Sequence, residues 1–306
     1  MSARSAILVT AADLAPQALD LLKDFQIIYA GKTPTEEDIV ALCKRHDPVG
    51  IIVRYGKVGS AAMDAAPSLR VISKHGSGTD TIDKDAAKAR GIEVVAAVGA
   101  NASAVAEQAV ALLLACAKSV VQLDARMHQG FWDKATHKSV ELDGRTVGVI
   151  GLGAIGQRFA KVAHAMGMRV VGYDPYAKDL PDYVERVELE TIWREADAIS
   201  LHCPLTPENA NLLNERTLAA CKKGVLIVNT ARGGLIDENA LLAAVRSGQV
   251  GSAGLDSFAV EPMTAGHPFQ GQERITLSPH VGGVTADAYV KMGVAAATNA
   301  LRVINR

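Results

Sequence analysis

Along the chain, short runs of aliphatic and β-branched residues alternate with longer stretches whose apolar positions recur every three to four residues. That alternation predicts an α/β fold built on parallel sheets. In the first third, strands are predicted at Ala6–Thr10, Gln26–Ala30, Gly50–Val53, Arg70–Lys74 and Glu93–Ala96. Helical patterns fill the gaps at Pro16–Lys23, Thr35–Arg45 and Ile82–Ala89, and Gly91 stands where a helix C′ glycine would. A long helical pattern from about Ala102 to Gln129 opens a second set. Its strands are Thr146–Ile150, Arg169–Tyr173, Ala198–Leu201, Val225–Asn229, Gly251–Gly254 and Ile275–Leu277. Its helices are Ile155–Ala165, Glu188–Arg194, Asn214–Cys221 and Glu238–Ser247, and a final helix runs from about Thr285 to Asn305. No low-complexity linker or short-period repeat appears, so two α/β modules are expected to be joined by two long helical segments rather than by a flexible tether.

Length supports two domains: 306 residues exceed what a single core usually holds. With 49% apolar and only 4% aromatic residues, the cores are expected to be aliphatic. A formal net charge of −1 offers no basic surplus, so neither nucleic acid nor an anionic membrane is an expected partner. The most apolar long stretch, Val105 to Val120, carries Glu107, Gln108 and Lys118 and does not read as a membrane span. The N-terminal residues have too short an apolar run for a signal peptide, and a soluble, cytoplasmic protein is expected. Cys43, Cys116, Cys203 and Cys221 are scattered without metal-ligand spacing, so buried free thiols and no metal are expected.

The sharpest local signal is Val147-Gly-Val-Ile-Gly151-Leu-Gly153-Ala154-Ile155-Gly156. A GxGxxG alone is weak, but this one follows an apolar strand and opens an amphipathic helix. Gly151 permits a tight turn, Gly153 admits a pyrophosphate, and Gly156 allows close helix–strand packing. The helix start at Ala154 and Ile155 presents N–H groups and a positive dipole end. The next predicted strand ends in Asp174, eighteen residues past Gly156, where a carboxylate would accept from ribose hydroxyls and repel a 2′-phosphate. NAD is therefore the expected cofactor. His202-Cys203-Pro204 follows another strand and is expected to line the same edge, although a plain strand-to-loop break reads nearly as well.

Three polar residues stand just past later strands: Arg232, Glu261 and His280. An arginine can grip a carboxylate with two parallel bonds, and a histidine titrating near neutrality can take a hydroxyl proton. A carboxylate beside the histidine would orient its ring. Among 32 basic residues and 8 histidines, spacing alone does not single out this trio.

The runs Asn229-Thr230-Ala-Arg232-Gly-Gly-Leu-Ile-Asp237, Leu255-Asp256-Ser-Phe-Ala-Val-Glu261-Pro262 and Ser278-Pro-His280-Val-Gly-Gly283 do so, because together they resemble the D-isomer-specific 2-hydroxyacid dehydrogenase family. The resemblance extends to His75-Gly76-Ser77-Gly78-Thr-Asp80, Asn101-Ala-Ser-Ala-Val-Ala-Glu107 and the glycine-rich turn. Within the family the phosphoglycerate dehydrogenase branch is the most similar. The resemblance implies two Rossmann-like doubly wound domains with the active site in the cleft between them. Residues 1–98 and 285–306 would form a discontinuous substrate-binding domain, and residues 99–284 an NAD-binding domain. Arg232 would hold the substrate carboxylate and carbonyl, His280 would be the general acid/base with Glu261 its partner, and Asp256 would meet the nicotinamide carboxamide. Thr230 falls in the cofactor-lining run. The amides of Gly76, Ser77 and Gly78 would hold the carboxylate as an anion-binding nest. His75 reads as a structural loop residue.

The implied reaction moves a hydride between nicotinamide and a small D-2-hydroxy or 2-oxo acid, with 3-phosphoglycerate and phosphohydroxypyruvate the first expectation. Arg54 falls where the family often places a substrate-domain arginine, which could meet a phosphate or a carboxylate, and Asn101 and Lys134 match positions that serve phosphate in that branch. Tyr55-Gly56-Lys57 departs from it, so a glyoxylate or hydroxypyruvate reductase is the alternative, and an NAD-sensing binding protein the alternative of another class. A homodimer is implied, and the aromatic arm Gly130-Phe-Trp-Asp-Lys134 fits its interface.

Overall fold

The computed structural model describes residues 4–306. It forms two units: the chain up to Asn101 together with Gly283–Arg306, and Ala102–Gly282. Residues 99–101, 283 and 284, expected with the second domain, thus group with the first. Asn101 and Gly283 lie side by side there, so closely that a Cβ on Gly283 would stand 2.6 Å from the Asn101 amide nitrogen.

In the first unit, β1 (Ala6–Val9), β2 (Gln26–Tyr29), β3 (Gly50–Val53), β4 (Val71–Lys74) and β5 (Glu93–Ala96) form a parallel sheet of order β2-β1-β3-β4-β5. Alternate residues of each strand face opposite sides. Ile7, Val9 and Ile52 pack with Ala18 of α1 (Pro16–Leu21) and with Ala296 and Ala297 of α11 (Ala286–Ile304). Leu8, Ile51 and Val53 pack on the other side with α2 (Glu36–His46) and α3 (Ser60–Asp64). Each such fully buried Ile or Leu contributes about 1.5–3 kcal/mol. The small residues along α11 let it lie close to the sheet, where Ser73 Oγ donates to the Ala296 carbonyl at 2.8 Å and Asn299 to that of Ala96 at 3.0 Å.

Local signals set the helix ends. Thr35 and Asp38 form a reciprocal capping box at the start of α2. Past α4 (Lys84–Ala89), Gly91 takes φ 67° as its expected C′ position requires.

The second unit carries β6 (Thr146–Ile150), β7 (Arg169–Tyr173), β8 (Val184–Arg186), β9 (Ala198–Leu201), β10 (Val225–Asn229), β11 (Val250–Leu255) and β12 (Ile275–Leu277). They form one parallel sheet of order β12-β11-β10-β9-β6-β7-β8. Val147, Val149, Leu226 and Val228 face α5 (Ala102–Lys118) and α7 (Ala154–Ala165). Ile150, Ile199, Ile227 and Leu255 face α8 (Leu189–Glu195), α9 (Glu215–Ala220) and α10 (Glu238–Ser247). Both units are therefore doubly wound, as expected.

Three local expectations change. The helix predicted over 102–129 breaks at Ser119, which takes φ 51°, and α6 (Val120–His128) leaves at 62° to α5. The carbonyls of Ala117 and Lys118 are taken instead by the Val140 amide and the Ser139 hydroxyl. Helix α3 and strand β8 were not expected; they have five and three residues, too few to show a period. Of the four free thiols, three are buried and Cys203 is half-buried.

Among the described residues, no single helix is long and apolar enough to cross a membrane. A Cβ on Gly156 would overlap the Gly151 carbonyl, so α7 can lie this close to the turn after β6 only with glycine. Gly156→Ala is expected to destabilise the second unit by about 1–3 kcal/mol. Both tryptophans, Trp132 and buried Trp193, belong to this unit, so urea unfolding followed by their fluorescence reads the change. An unchanged midpoint would mean that the turn yields at no cost.

Candidate active site

The order of the seven-stranded sheet reverses between β6 and β9, and ligands of open parallel sheets sit beyond the carboxyl ends at such a reversal. The glycine-rich turn follows β6, and His202-Cys203-Pro204 follows β9. The two turns nearly touch: a Cβ on Gly151 would stand 2.6 Å from the Cys203 nitrogen. Gly151 also takes φ 92°, a conformation that favours glycine. Gly153 caps α7 without a side-chain hydrogen bond, and nothing lies within 4 Å of where its Cβ would be. A helix N-terminus with open space before it, rather than packed side chains, fits a pyrophosphate.

Asp174 does more than its expected role. Its Oδ2 accepts from Leu152 N at 2.8 Å, and Oδ1 accepts from Tyr176 N at 2.8 Å and Ala177 N at 3.1 Å. It thereby ties the glycine turn to the end of β7, and a carboxylate with about four acceptor positions keeps one for a ribose hydroxyl. His202 Nε2 pairs with Ser200 Oγ at 2.9 Å, and its enclosed Nδ1 has no partner among the described residues. Burial pushes its imidazole down to about 3. Cys203, whose thiol burial raises to about 11, accepts from Asn209 at 3.9 Å, and Asn209 also bonds the Pro204 carbonyl. Thr230, buried just past β10, has a hydroxyl with no partner among the described residues.

Strands β10, β11 and β12 are neighbours, so Arg232, Glu261 and His280 leave one edge. His280 Nδ1 and Glu261 Oε2 are 2.7 Å apart. Glu261 Oε1 accepts from Phe258 N at 2.9 Å, and its peptide bond to Pro262 is cis. His280 takes φ 53°, uncommon for a residue with a side chain.

The loop bearing His280 is held by Asp256, only 1% exposed. Its carboxylate accepts from Ser278 Oγ at 2.6 Å, Val281 N at 3.0 Å and Gly282 N at 2.8 Å. Gln108 of α5 donates to the same Ser278 hydroxyl at 3.0 Å. Arg232 Nη1 donates to the Ala231 carbonyl at 2.7 Å, and Asn229 Nδ2 donates to the Arg232 carbonyl while its Oδ1 accepts from Ala231 N. A Cβ on the following Gly233 would overlap the Phe258 carbonyl, so the Arg232 turn packs backbone to backbone on the turn that leads to Glu261.

In the first unit, Gly76 is buried with φ 138°, Gly78 is half-buried and Ser77 is exposed. These follow β4, and Arg54 follows β3. Asn101 holds a buried Oδ1 with no partner among the described residues. His75 is buried at 8% exposure against Tyr289, with ring centroids 5.7 Å apart. Burial first, and the Arg54 charge second, push its imidazole down to about 4. Lys134 is exposed on a short helical turn, Asp133–Ala135.

Residues 110–282 match the family model described as the D-isomer specific 2-hydroxyacid dehydrogenase, NAD binding domain. The chain belongs to that family. It is an NAD-binding dehydrogenase, and the glycine-rich turn with its open approach is where its residues suit the dinucleotide. It is 43% identical over 247 residues to a hydroxypyruvate reductase of Thermotoga maritima, covering 80% of this chain and 81% of that one. It is 39% identical over 291 residues to a D-3-phosphoglycerate dehydrogenase of Mycobacterium tuberculosis, covering 94% of this chain and 54% of that one. The chain thus spans about half the length of the phosphoglycerate dehydrogenases it matches. Among solved structures, the TT0316 protein of Thermus thermophilus superposes with a TM-score of 0.91 at 36% identity, over 98% of this chain and 97% of that one. A glyoxylate reductase of Paecilomyes thermophila gives 0.88 at 29% identity, over 99% and 95%.

Sequence reasoning missed Ser278 and Gln108, which hold the loop of His280, and Asp13 and Tyr289, which surround Arg54. Their partners are 170 and 276 positions away for Gln108 and Tyr289, so no local pattern could reveal them.

The two enclosed imidazoles make stability depend on pH. An unfolded histidine titrates near 6.5. Between that pH and the depressed values of about 4 for His75 and about 3 for His202, the unfolded chain binds protons that the folded chain refuses. Each ring therefore contributes stability that is present above pH 6.5 and falls by about 1.4 kcal/mol per unit as the pH drops towards its folded value. His202→Asn should reduce by about that amount the pH slope of urea unfolding between pH 6 and 4.5, read by Trp193 fluorescence. An unaltered slope would show that the folded protein protonates His202 freely.

Proposed function

We propose that this dehydrogenase interconverts a short D-2-hydroxy acid and its 2-oxo acid, with His280 as the acid/base. The observation that carries this reading is the 2.7 Å pair between His280 Nδ1 and Glu261 Oε2 on a loop clamped by Asp256. With Nδ1 fixed on the carboxylate, Nε2 is the nitrogen left to take the substrate hydroxyl proton in oxidation and return it in reduction. Glu261 orients the ring and stabilises the imidazolium that forms. The Arg232 guanidinium grips the substrate carboxylate and polarises the carbonyl beside it.

We assign the NAD-binding role to the second unit, through Gly151, Gly153, Ala154, Ile155, Gly156, Asp174, His202, Cys203, Pro204, Thr230 and Asp256. When bound, the nicotinamide supplies or accepts the hydride. Asp174 selects against a 2′-phosphate by charge. The substrate-binding role falls to the first unit, through Arg54, the amides of Gly76, Ser77 and Gly78, and Asn101. Relatives named for phosphoglycerate and for hydroxypyruvate are both similar to this chain, so phosphohydroxypyruvate and its unphosphorylated counterpart both stand as substrates. A cytoplasmic homodimer completes the proposal. The arm residues Phe131 and Trp132, 48% and 75% exposed, offer an apolar surface to a second copy.

The test is steady-state reduction of phosphohydroxypyruvate, hydroxypyruvate, glyoxylate and pyruvate with NADH. His280→Ala should lower kcat by about 100- to 10,000-fold while NADH affinity, read by fluorescence titration, stays within about threefold. Glu261→Gln, which keeps the shape but removes the charge beside the imidazole, should lower kcat less. Near-normal turnover by His280→Ala would remove the assigned acid/base.

A further inference from the structure

Arg54 has surroundings that the reaction itself does not call for. The first unit's sheet reverses its winding between β1 and β3, because β1 leads outward to β2 and the chain then returns past β1 to form β3. The carboxyl edge at such a reversal is where an open parallel sheet takes its ligand. Asp13 follows β1 there and Arg54 follows β3.

The Arg54 side chain is only 15% exposed and lies between two rings, its guanidinium carbon 4.8 Å from the Tyr289 centroid and 5.3 Å from that of Tyr55. Its Nη1 donates to the Asp13 carbonyl at 3.0 Å and forms an ion pair with the Asp13 carboxylate. The Tyr289 hydroxyl donates to the same carboxylate oxygen at 3.1 Å. Arg54 and Tyr289 together hold the Asp13 carboxyl below the usual carboxylate range. The backbone is fixed as well: Thr10 Oγ1 accepts from Arg54 N at 3.0 Å and donates to the Tyr55 carbonyl at 2.6 Å, and Lys74 Nζ donates to the Arg54 carbonyl at 3.1 Å.

The pair is asymmetric. The cation is enclosed, whereas the Asp13 side chain is 70% exposed. A ligand approaching the switch point therefore meets a carboxylate first, in front of a guanidinium whose charge is already balanced. A mobile surface pair could open for a dianion, but two rings and a tyrosine hydroxyl hold this one.

Resting on the 2-oxo acid reading above, we infer that Asp13 is a specificity residue: it occupies Arg54 and turns the first unit's switch point against 2-oxo acids that end in a phosphate or a second carboxylate. Acids ending in hydrogen or a hydroxyl escape that repulsion, and a hydroxyl gains an acceptor. Arg54 thereby serves the substrate site as the anchor of Asp13 rather than as a direct phosphate ligand.

The experiment compares wild type, Asp13→Asn and Asp13→Glu. Asparagine keeps the shape and an acceptor for Tyr289 but removes the charge, and glutamate keeps the charge. The ratio of kcat/KM for phosphohydroxypyruvate to that for hydroxypyruvate should rise about 10-fold or more in Asp13→Asn, through KM, and stay near the wild-type ratio in Asp13→Glu. In parallel, calorimetric titration of the NADH-saturated chain with inorganic phosphate should show about 10-fold tighter binding for Asp13→Asn. An unmoved ratio together with unmoved phosphate affinity overturns the inference, as does an equal rise in Asp13→Glu. If no 2-oxo acid turns over in any of the proteins, the broader reading fails. The phosphate titration then still decides whether Asp13 repels dianions.

Discussion

The buried carboxylate of Asp256 is the constraint on which the second unit's chemistry depends. An ionised group at 1% exposure is costly unless its acceptor positions are filled. Here the filling is done by the loop that carries His280: Ser278 Oγ, Val281 N and Gly282 N all point at it. The requirement therefore runs both ways. The charge is tolerated because the loop folds over it, and the loop adopts its path, including the left-handed backbone of His280, because the charge must be met. Gln108 ties the same Ser278 hydroxyl to α5, which packs on the sheet. The position of the imidazole is thus set by the sheet edge and by a core helix, not by the loop alone. Glu261 reaches the imidazole from a separate turn, and the backbone contact of Gly233 on Phe258 joins that turn to the one bearing Arg232.

Much of the fold could be read from periodicity because both sheets are parallel and covered on both faces. Such strands are continuous apolar runs bounded by turns, and five of those in the second unit, β6, β7, β9, β10 and β12, have the bounds that the sequence predicts. What was illegible was short or decided at a distance. Strand β8 has a single buried apolar residue, Val184, and pairs only because β7 lies beside it. The break at Ser119 has no local cause in the sequence, since its serine is an ordinary helix residue. It follows from the segment at 139–140, which takes the carbonyls that a continuing helix would have used.

The site was legible to a different degree in each unit. The glycine turn explains itself, because each glycine sits where a side chain would strike backbone or block an approach. Arg232, Glu261 and His280 have no local pattern that separates them from other charged residues, and only the ordered motifs of a family pick them out. The geometry then supplies a reason that the motifs do not contain: they leave the ends of three adjacent strands. Asp174 was expected to serve the cofactor, and three backbone amides make it first a brace for the turn. A side chain can hold both roles because a carboxylate has more acceptor positions than the brace uses.

Arg54 shows the limit of carrying a role over by position. A motif records which residue stands at a place, whereas charge at that place is a property of everything around it. Asp13 is 41 positions earlier and Tyr289 is 276 positions from Asp13, and neither belongs to the run that contains Arg54. The guanidinium is enclosed by rings, so leaving it unpaired would cost more than it would on an open surface. A chain that buries this arginine must supply an anion from somewhere. A ligand can be that anion, and then binding and charge balance are the same event. Here the protein supplies it, and the arginine is balanced before any ligand arrives. The same residue type at the same strand end thus follows a different electrostatic logic, and a carboxylate four residues past β1 makes the difference.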